Sequence, residues 1–221
     1  MSMNWYTIHN EAAVASPAIL LFPDRIRENI RRLIEIAGSP ERLRPHVKTH
    51  KLPPLIRMQV EAGISRFKCA TLAEAVMVAE NGGTDILMAY PLYGPAVDML
   101  FQLIRRFPDV RFSALVDNAG QLRVFEQAAA THGLSLGLFL DLDTGMERTG
   151  IKPGGEAVEL YRQLAQSSRL QPRGLHIYAG HLTQTDPQQR EAACAAGFEP
   201  VSGFLRALGQ EGIRPPELVC G

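Results

Sequence analysis

Short apolar runs rich in Val, Ile, Leu and Phe alternate with longer amphipathic stretches along the whole chain. The runs are AILLF (Ala18–Phe22), LRPHV (Leu43–Val47), RFKCA (Arg66–Ala70), DILMAY (Asp85–Tyr90), RFSALVD (Arg111–Asp117), LGLFLDLD (Leu136–Asp143), RGLHIYAG (Arg173–Gly180) and ELVCG (Glu217–Gly221). Between them lie helical patterns such as DRIRENIRRLIEIAG, where Ile26, Ile30, Leu33, Ile34 and Ala37 fall on one stripe. TLAEAVMVAENGG, GPAVDMLFQLIRRFP, NAGQLRVFEQAAATHG and GGEAVELYRQLAQSS read the same way, and several close on Gly or Pro as helix ends do. Strand and helix in strict alternation predict parallel strands joined by right-handed crossovers. Eight strand-like runs and seven helical segments predict an α/β fold, a (β/α)8 barrel of the TIM type, over residues 1–221 as one domain. A doubly wound open sheet is the alternative. The alternation stops at the eighth run, so the pattern reads as a barrel truncated after its last strand, with one flank uncovered.

Composition narrows the partners. Lys plus Arg equals Asp plus Glu, 23 of each, so no global field exists to hold nucleic acid or an acidic membrane. No basic stretch precedes the apolar run bounded by Pro17 and Pro23, so it is not read as a signal peptide, and no run approaches a membrane span. Three cysteines, Cys69, Cys194 and Cys220, are odd in number and far apart, which fits reduced thiols in a cytoplasmic protein.

In a barrel, chemistry gathers where strands end. Those ends carry Lys48, Thr71 with Glu74, Tyr90, Asp117 with Asn118, then Asp141, Asp143 and Arg148, then His176, Tyr178 and His181, and finally Cys220 with Gly221. The densest stretch is RLRPHVKTHK, Arg42–Lys51, with two arginines, two histidines and two lysines in ten positions. One reading is a solvated basic loop. A second is a metal site from His46 and His50 at helical spacing, opposed by Pro45, Pro53 and Pro54 and by the lack of an intervening Glu. The third is a lysine nucleophile: cationic neighbours favour the neutral amine of Lys48, which attacks aldehydes to give a Schiff base. The same crowd suits a phosphorylated aldehyde, which describes pyridoxal phosphate.

LRPHVKTHK resembles the cofactor-lysine motif of the D-threonine aldolase and D-serine dehydratase family, within the alanine-racemase-like, fold-type III class of pyridoxal 5'-phosphate enzymes. The likeness continues through SPAILLFPDRIRENI, FKCATLAEAVMVAENGGTDILMAY, DLDTGMERTGI and GLHIYAGH. It implies a barrel holding the cofactor and a C-terminal β-domain absent from this sequence. It places the Schiff base on Lys48. Arg148, in DTGMERTG, matches an arginine that faces the pyridine nitrogen and weakens the ring as an electron sink; the bland alternative pairs it with Asp141 or Asp143. Tyr178 matches a tyrosine that contacts the cofactor. Gly180 and His181 open a loop near the phosphate, and the glycine-rich phosphate loop would begin at Gly221. His46 and His176 are the candidate proton carriers.

The activity implied is that of a lyase acting on a D-configured β-hydroxy amino acid, by aldol cleavage or by dehydration. An amino-acid racemase and a non-catalytic pyridoxal phosphate homeostasis protein are the alternatives. The resemblance further implies a homodimer of the full-length protein. It also implies a divalent metal site in the C-terminal domain; no metal ligand is assigned within this chain.

Overall fold

From Pro53 onward the computed structural model, which describes residues 4–221, alternates helix and strand without interruption. Six strands pair in sequence order, all parallel, in one curled sheet. They are β1 (Arg66–Cys69), β2 (Asp85–Met88), β3 (Arg111–Val116), β4 (Leu136–Leu142), β5 (Leu170–Ile177) and β6 (Leu218–Cys220). The α-helices of the described residues are α1 (Pro23–Ala37), α2 (Pro53–Glu61), α3 (Leu72–Glu80), α4 (Pro95–Arg106), α5 (Ala119–His132), α6 (Gly155–Gln166) and α7 (Pro187–Gln210). Their starts follow local chemistry. Pro occupies the first turn of α1, α2, α4 and α7, where a missing N–H costs nothing, and Thr71, Asn118 and Asp186 cap α3, α5 and α7.

The sheet has six strands where the sequence pattern predicts eight. Leu43–Val47 contributes a single bridge, His46 opposite Lys68, with the Lys68 N–H donating to the Pro45 carbonyl at 2.8 Å. Pro45 has no N–H to offer, so the ladder cannot extend through the run. Ala18–Phe22 is extended but unpaired, and Ile19 is 88% exposed. The result is a half-barrel, open between β6 and the His46 bridge.

Both faces of a parallel sheet are buried, but they bury different things here. Along β4, Leu138, Leu140 and Leu142 point outward into the main core with Phe101, Phe125, Tyr161 and Leu164. Phe139 points inward, packing with Leu87, Leu115 and Val219 in a separate lumenal cluster. Below that cluster lies an ion network. Arg44 reaches Asp85 at 2.8 Å and Glu217 at 3.1 Å, and Arg173 reaches the same carboxylates at 3.1 and 3.6 Å. Both guanidiniums also lie over the Phe139 ring, 5.8 and 5.9 Å from its centroid. Gly174 lets β5 approach β6 there: a Cβ on it would stand 1.9 Å from the Glu217 carbonyl oxygen.

The Arg44–Asp85 pair is nearly dry, with side chains 5% and 9% exposed. Burial pushes the Asp85 carboxyl up, but the Arg44 and Arg173 guanidiniums outweigh it and hold the group below the usual carboxylate range. Asp85→Ala, which leaves Glu217 as the only carboxylate of the network against two guanidiniums, should cost about 3–5 kcal/mol in urea unfolding. Because the folded value is the lower one, the Asp85 contribution is complete above its unfolded pKa of about 3.9 and is lost as pH falls through the folded value. Stability measured below about pH 4 should therefore fall more steeply in the parent chain than in Asp85→Asn.

Candidate active site

Lys48 sits in a tight 3-10 turn, Val47–Thr49, immediately after the His46 bridge. Val47, fully buried, anchors the turn, and its carbonyl accepts the N–H groups of His50 at 3.2 Å and Lys51 at 2.9 Å. Nδ1 of His46 accepts the Lys48 N–H at 3.2 Å. Burial first, then the charges of Lys48 and Lys68, lower the His46 pKa to about 4. The ring is therefore neutral at neutral pH, and with Nδ1 acting as acceptor its proton lies on Nε2.

The exposed Lys48 amine stands 5.7 Å from the centroid of the Tyr178 ring, just past the end of β5. The Arg148 guanidinium stands 5.4 Å from the same ring. Arg148 comes from the loop after β4, whose shape is set by Asp143: its Oδ1 accepts the N–H groups of Gly145 and Glu147, both at 3.0 Å. Asp141 is engaged elsewhere, 2.7 Å from Nδ1 of His176, its register partner across β4 and β5. The two aspartates that could have paired with Arg148 are thus both otherwise held. His176 and Asp141 are buried in the upper lumen, and the carboxylate fixes the ring so that Nε2 is left free.

Lys68 completes the cationic group. Its position on β1 was not singled out from the sequence as part of the site, although period-two alternation in RFKC turns Lys68 away from the buried Phe67 and Cys69. It is 9% exposed, and burial, then Lys48 and Arg44, lower its pKa. A Cβ on Gly221 would meet its Nζ at 3.3 Å, so the amine crosses to the end of β6.

Gly221 also borders a small cavity of about 210 Å3 with His181, Thr144, Phe198 and Cys220. Nδ1 of His181 is buried without a hydrogen-bond partner, an orphan donor or acceptor beside that cavity. Gly180 lies flat against Tyr178; a Cβ there would be 2.5 Å from the phenol ring. A wider concavity, about 730 Å3, lies away from this group, between the starts of α5 and α6, and is lined by Lys152 and three carboxylates. Among the described residues no three His, Cys, Asp or Glu side chains converge as a metal site, and His46 and His50 both turn Nδ1 to backbone N–H groups. No helix there is long and apolar enough to cross a membrane.

Lys48, Arg148 and Tyr178 thus meet at one mouth of the half-barrel. The family model described as alanine racemase, N-terminal domain, matches residues 23–221, and the chain belongs to that family. The chain is 29% identical over 216 residues to 3-hydroxy-D-aspartate aldolase of Paracoccus denitrificans, covering 96% of this chain and 55% of that protein. It is 26% identical over 205 residues to D-threonine aldolase of an Arthrobacter species, covering 91% and 53%. Among solved structures, D-threonine aldolase from Filomicrobium marinum superposes with a TM-score of 0.87 at 28% identity, over 94% of this chain and 56% of that one. The chain spans about half the length of the curated relatives it matches.

The electrostatics give a direct check. The His46 imidazole should titrate near pH 4 by 15N NMR and show the Nε2–H tautomer at neutral pH. Lys48→Ala and Lys68→Ala should each raise that midpoint, because each removes a cation that opposes the imidazolium.

Proposed function

We propose that residues 1–221 form the pyridoxal 5'-phosphate-binding barrel domain of a lyase acting on a D-configured β-hydroxy amino acid, with Lys48 as the cofactor lysine. The observation that carries this reading is the placement of the Lys48 amine and the Arg148 guanidinium on one aromatic ring at the strand ends. Relatives support the substrate class. The relatives are named for 3-hydroxy-D-aspartate, D-threonine and D-threo-3-hydroxyaspartate (the last a Delftia dehydratase 28% identical to this chain), and each of these compounds is a D-configured amino acid with a β-hydroxyl.

The residues present fit the cofactor. Lys48 would supply the amine for its aldehyde, and Arg148 and Tyr178, 5.4 Å apart at the same mouth, would contact its ring. Arg148 would face the ring nitrogen without giving it a proton. The orphan Nδ1 of His181 and the backbone at Gly180 and Gly221 would receive phosphate oxygens. When bound, the cofactor supplies a sink for the electron pair left at the substrate Cα. Nε2 of His176, oriented through Asp141, and Nε2 of the neutral His46 are the proton-carrying atoms on the protein side. In aldol cleavage the β-hydroxyl gives up its proton, the Cα–Cβ bond breaks, and Cα is then protonated. In dehydration the Cα proton and the β-hydroxyl leave instead.

The same reading places the whole protein in the cytoplasm as a homodimer, with a second domain bringing a divalent metal to the β-hydroxyl. The unpaired state of Cys69, Cys194 and Cys220 fits that compartment. A racemase is the second reading, favoured by the 27% identity to alanine racemase of Mycolicibacterium smegmatis over 77% of this chain.

Borohydride reduction of the cofactor-loaded protein, followed by peptide mapping, should place the pyridoxyl group on Lys48. Finding it on Lys51 or Lys68 overturns the assignment. In the whole protein, removing divalent metal should cut turnover of D-threonine or 3-hydroxy-D-aspartate while the cofactor stays bound. Unchanged turnover after verified metal removal, with racemisation of a D-amino acid, moves the reading to the racemase.

A further inference from the structure

The turn that carries Lys48 is pinned at both ends to the same piece of chain. At its start, the Lys68 N–H of β1 holds the Pro45 carbonyl at 2.8 Å and His46 bridges Lys68. At its finish, the Lys51 ammonium stands 3.3 Å from Oε1 of Glu74, in the first turn of α3, the helix that follows β1. Glu74 is 4% exposed, far drier than a surface ion-pair partner. Its two oxygens have separate duties. Oε2 accepts the Ala70 N–H at 2.7 Å while Thr71 Oγ1 accepts the Glu74 N–H at 3.2 Å, a reciprocal cap on α3. Oε1, buried and without a hydrogen bond, is free to face the lysine turn.

Two features of the turn call for such a partner. Lys51 has φ +50°, a left-handed conformation unfavourable for a residue with a Cβ. His50 accepts the Leu52 N–H on Nδ1 at 3.1 Å, and burial lowers its pKa while the Glu74 charge opposes that. A neutral His50 therefore carries its proton on Nε2, which is buried with no partner. A left-handed lysine and an orphan imidazole N–H thus bracket the end of the turn; Glu74 Oε1 stands 3.3 Å from the lysine, and its charge acts on the imidazole.

We propose that Glu74 is a positioning residue that sets the place of the Lys48 amine by holding Lys51 and the field around His50. The functional weight of this rests on Lys48 being the cofactor lysine, but the strap itself is a property of the cofactor-free chain and is tested there. Glu74→Gln keeps an acceptor for the Ala70 N–H and removes the charge. Lys51→Met removes the pair from its exposed end, Lys51→Arg restores it, and Lys51→Gly removes both the pair and the backbone penalty.

Amide exchange at His50 and Lys51, and per-residue reductive methylation of lysines with formaldehyde and cyanoborohydride across pH, are read by mass spectrometry on each variant. Glu74→Gln and Lys51→Met should speed exchange at both amides on the order of tenfold, as local opening does. Both should also displace the pH profile of Lys48 methylation while leaving that of Lys152 in place. Lys51→Arg should behave as the parent chain. Parent-like exchange and Lys48 profiles in Glu74→Gln overturn the proposal. So does a parent-like Lys51→Gly, which would make the backbone alone responsible. If Glu74→Gln does not fold, the Lys51 variants decide. If these results hold but borohydride mapping finds no cofactor on Lys48, the strap stands and the cofactor assignment alone falls.

Discussion

A parallel sheet curled on itself has an inner face with no helix to cover it, so every polar group turned inward must find its partner among the other strands. That constraint orders the lumen of this chain into layers. At the lower end Arg44, Arg173, Asp85 and Glu217 neutralise one another. Leu87, Leu115, Phe139 and Val219 fill the middle. At the upper end Asp141 takes His176, and Lys68 has crossed to the end of β6. The lower layer stops the lumen as a plug of paired charge, while the upper layer gathers Lys48, Lys68 and Arg148, none of them in an ion pair among the described residues. An upper mouth so charged and only partly enclosed is suited to an anionic ligand, and the lower one is not.

The elements most plainly written in the sequence were those whose period is uninterrupted. The runs at Arg66, Asp85, Arg111, Leu136, Arg173 and Glu217 all contain strands of the sheet, within a few residues of the expected ends. The runs at Ala18 and Leu43 have the composition of strands but not their hydrogen bonds. Pro45 interrupts one, and the other, bracketed by Pro17 and Pro23, pairs with nothing. α7 is the converse case. Its start, Asp186 before Pro187, follows the capping rule, but the small residues Ala192–Gly197 and the internal Pro200 blur its apolar stripe. Its last turns bury Val201, Phe204 and Leu208, so packing supplies what local pattern does not.

The candidate site was legible as a set of residues, not as a geometry. A motif around Lys48, Arg148 and Tyr178 can be quoted from the chain, but only the fold brings two cations to one ring. Asp141 stood among the strand-end residues as a possible partner of Arg148, and the fold gives it instead to His176, its register partner. Lys68 carries a weaker signal still, a charged side chain inside a four-residue strand whose other inner neighbour is also basic. Thr71 and Glu74 stood together among the strand-end residues, and the fold makes them a cap on α3. That the second Glu74 oxygen faces the lysine turn depends on a contact between residues 23 positions apart, which no local pattern encodes.

The crowd of cations in RLRPHVKTHK resolves into distinct environments once each side chain is placed. Arg44 leaves the mouth altogether and joins the plug. Lys51 turns to Glu74. His46 and His50 lose their charge to burial and serve as acceptors for backbone N–H groups. What remains at the mouth is Lys48, with Lys68 and Arg148 as its charged company. Of the five of these groups from Arg44 to Lys51, one amine is thus left at the mouth. The neutral His46 is the hinge of that arrangement: its Nδ1 fixes the Lys48 backbone, and its Nε2–H offers a donor beside the amine without adding a further cation.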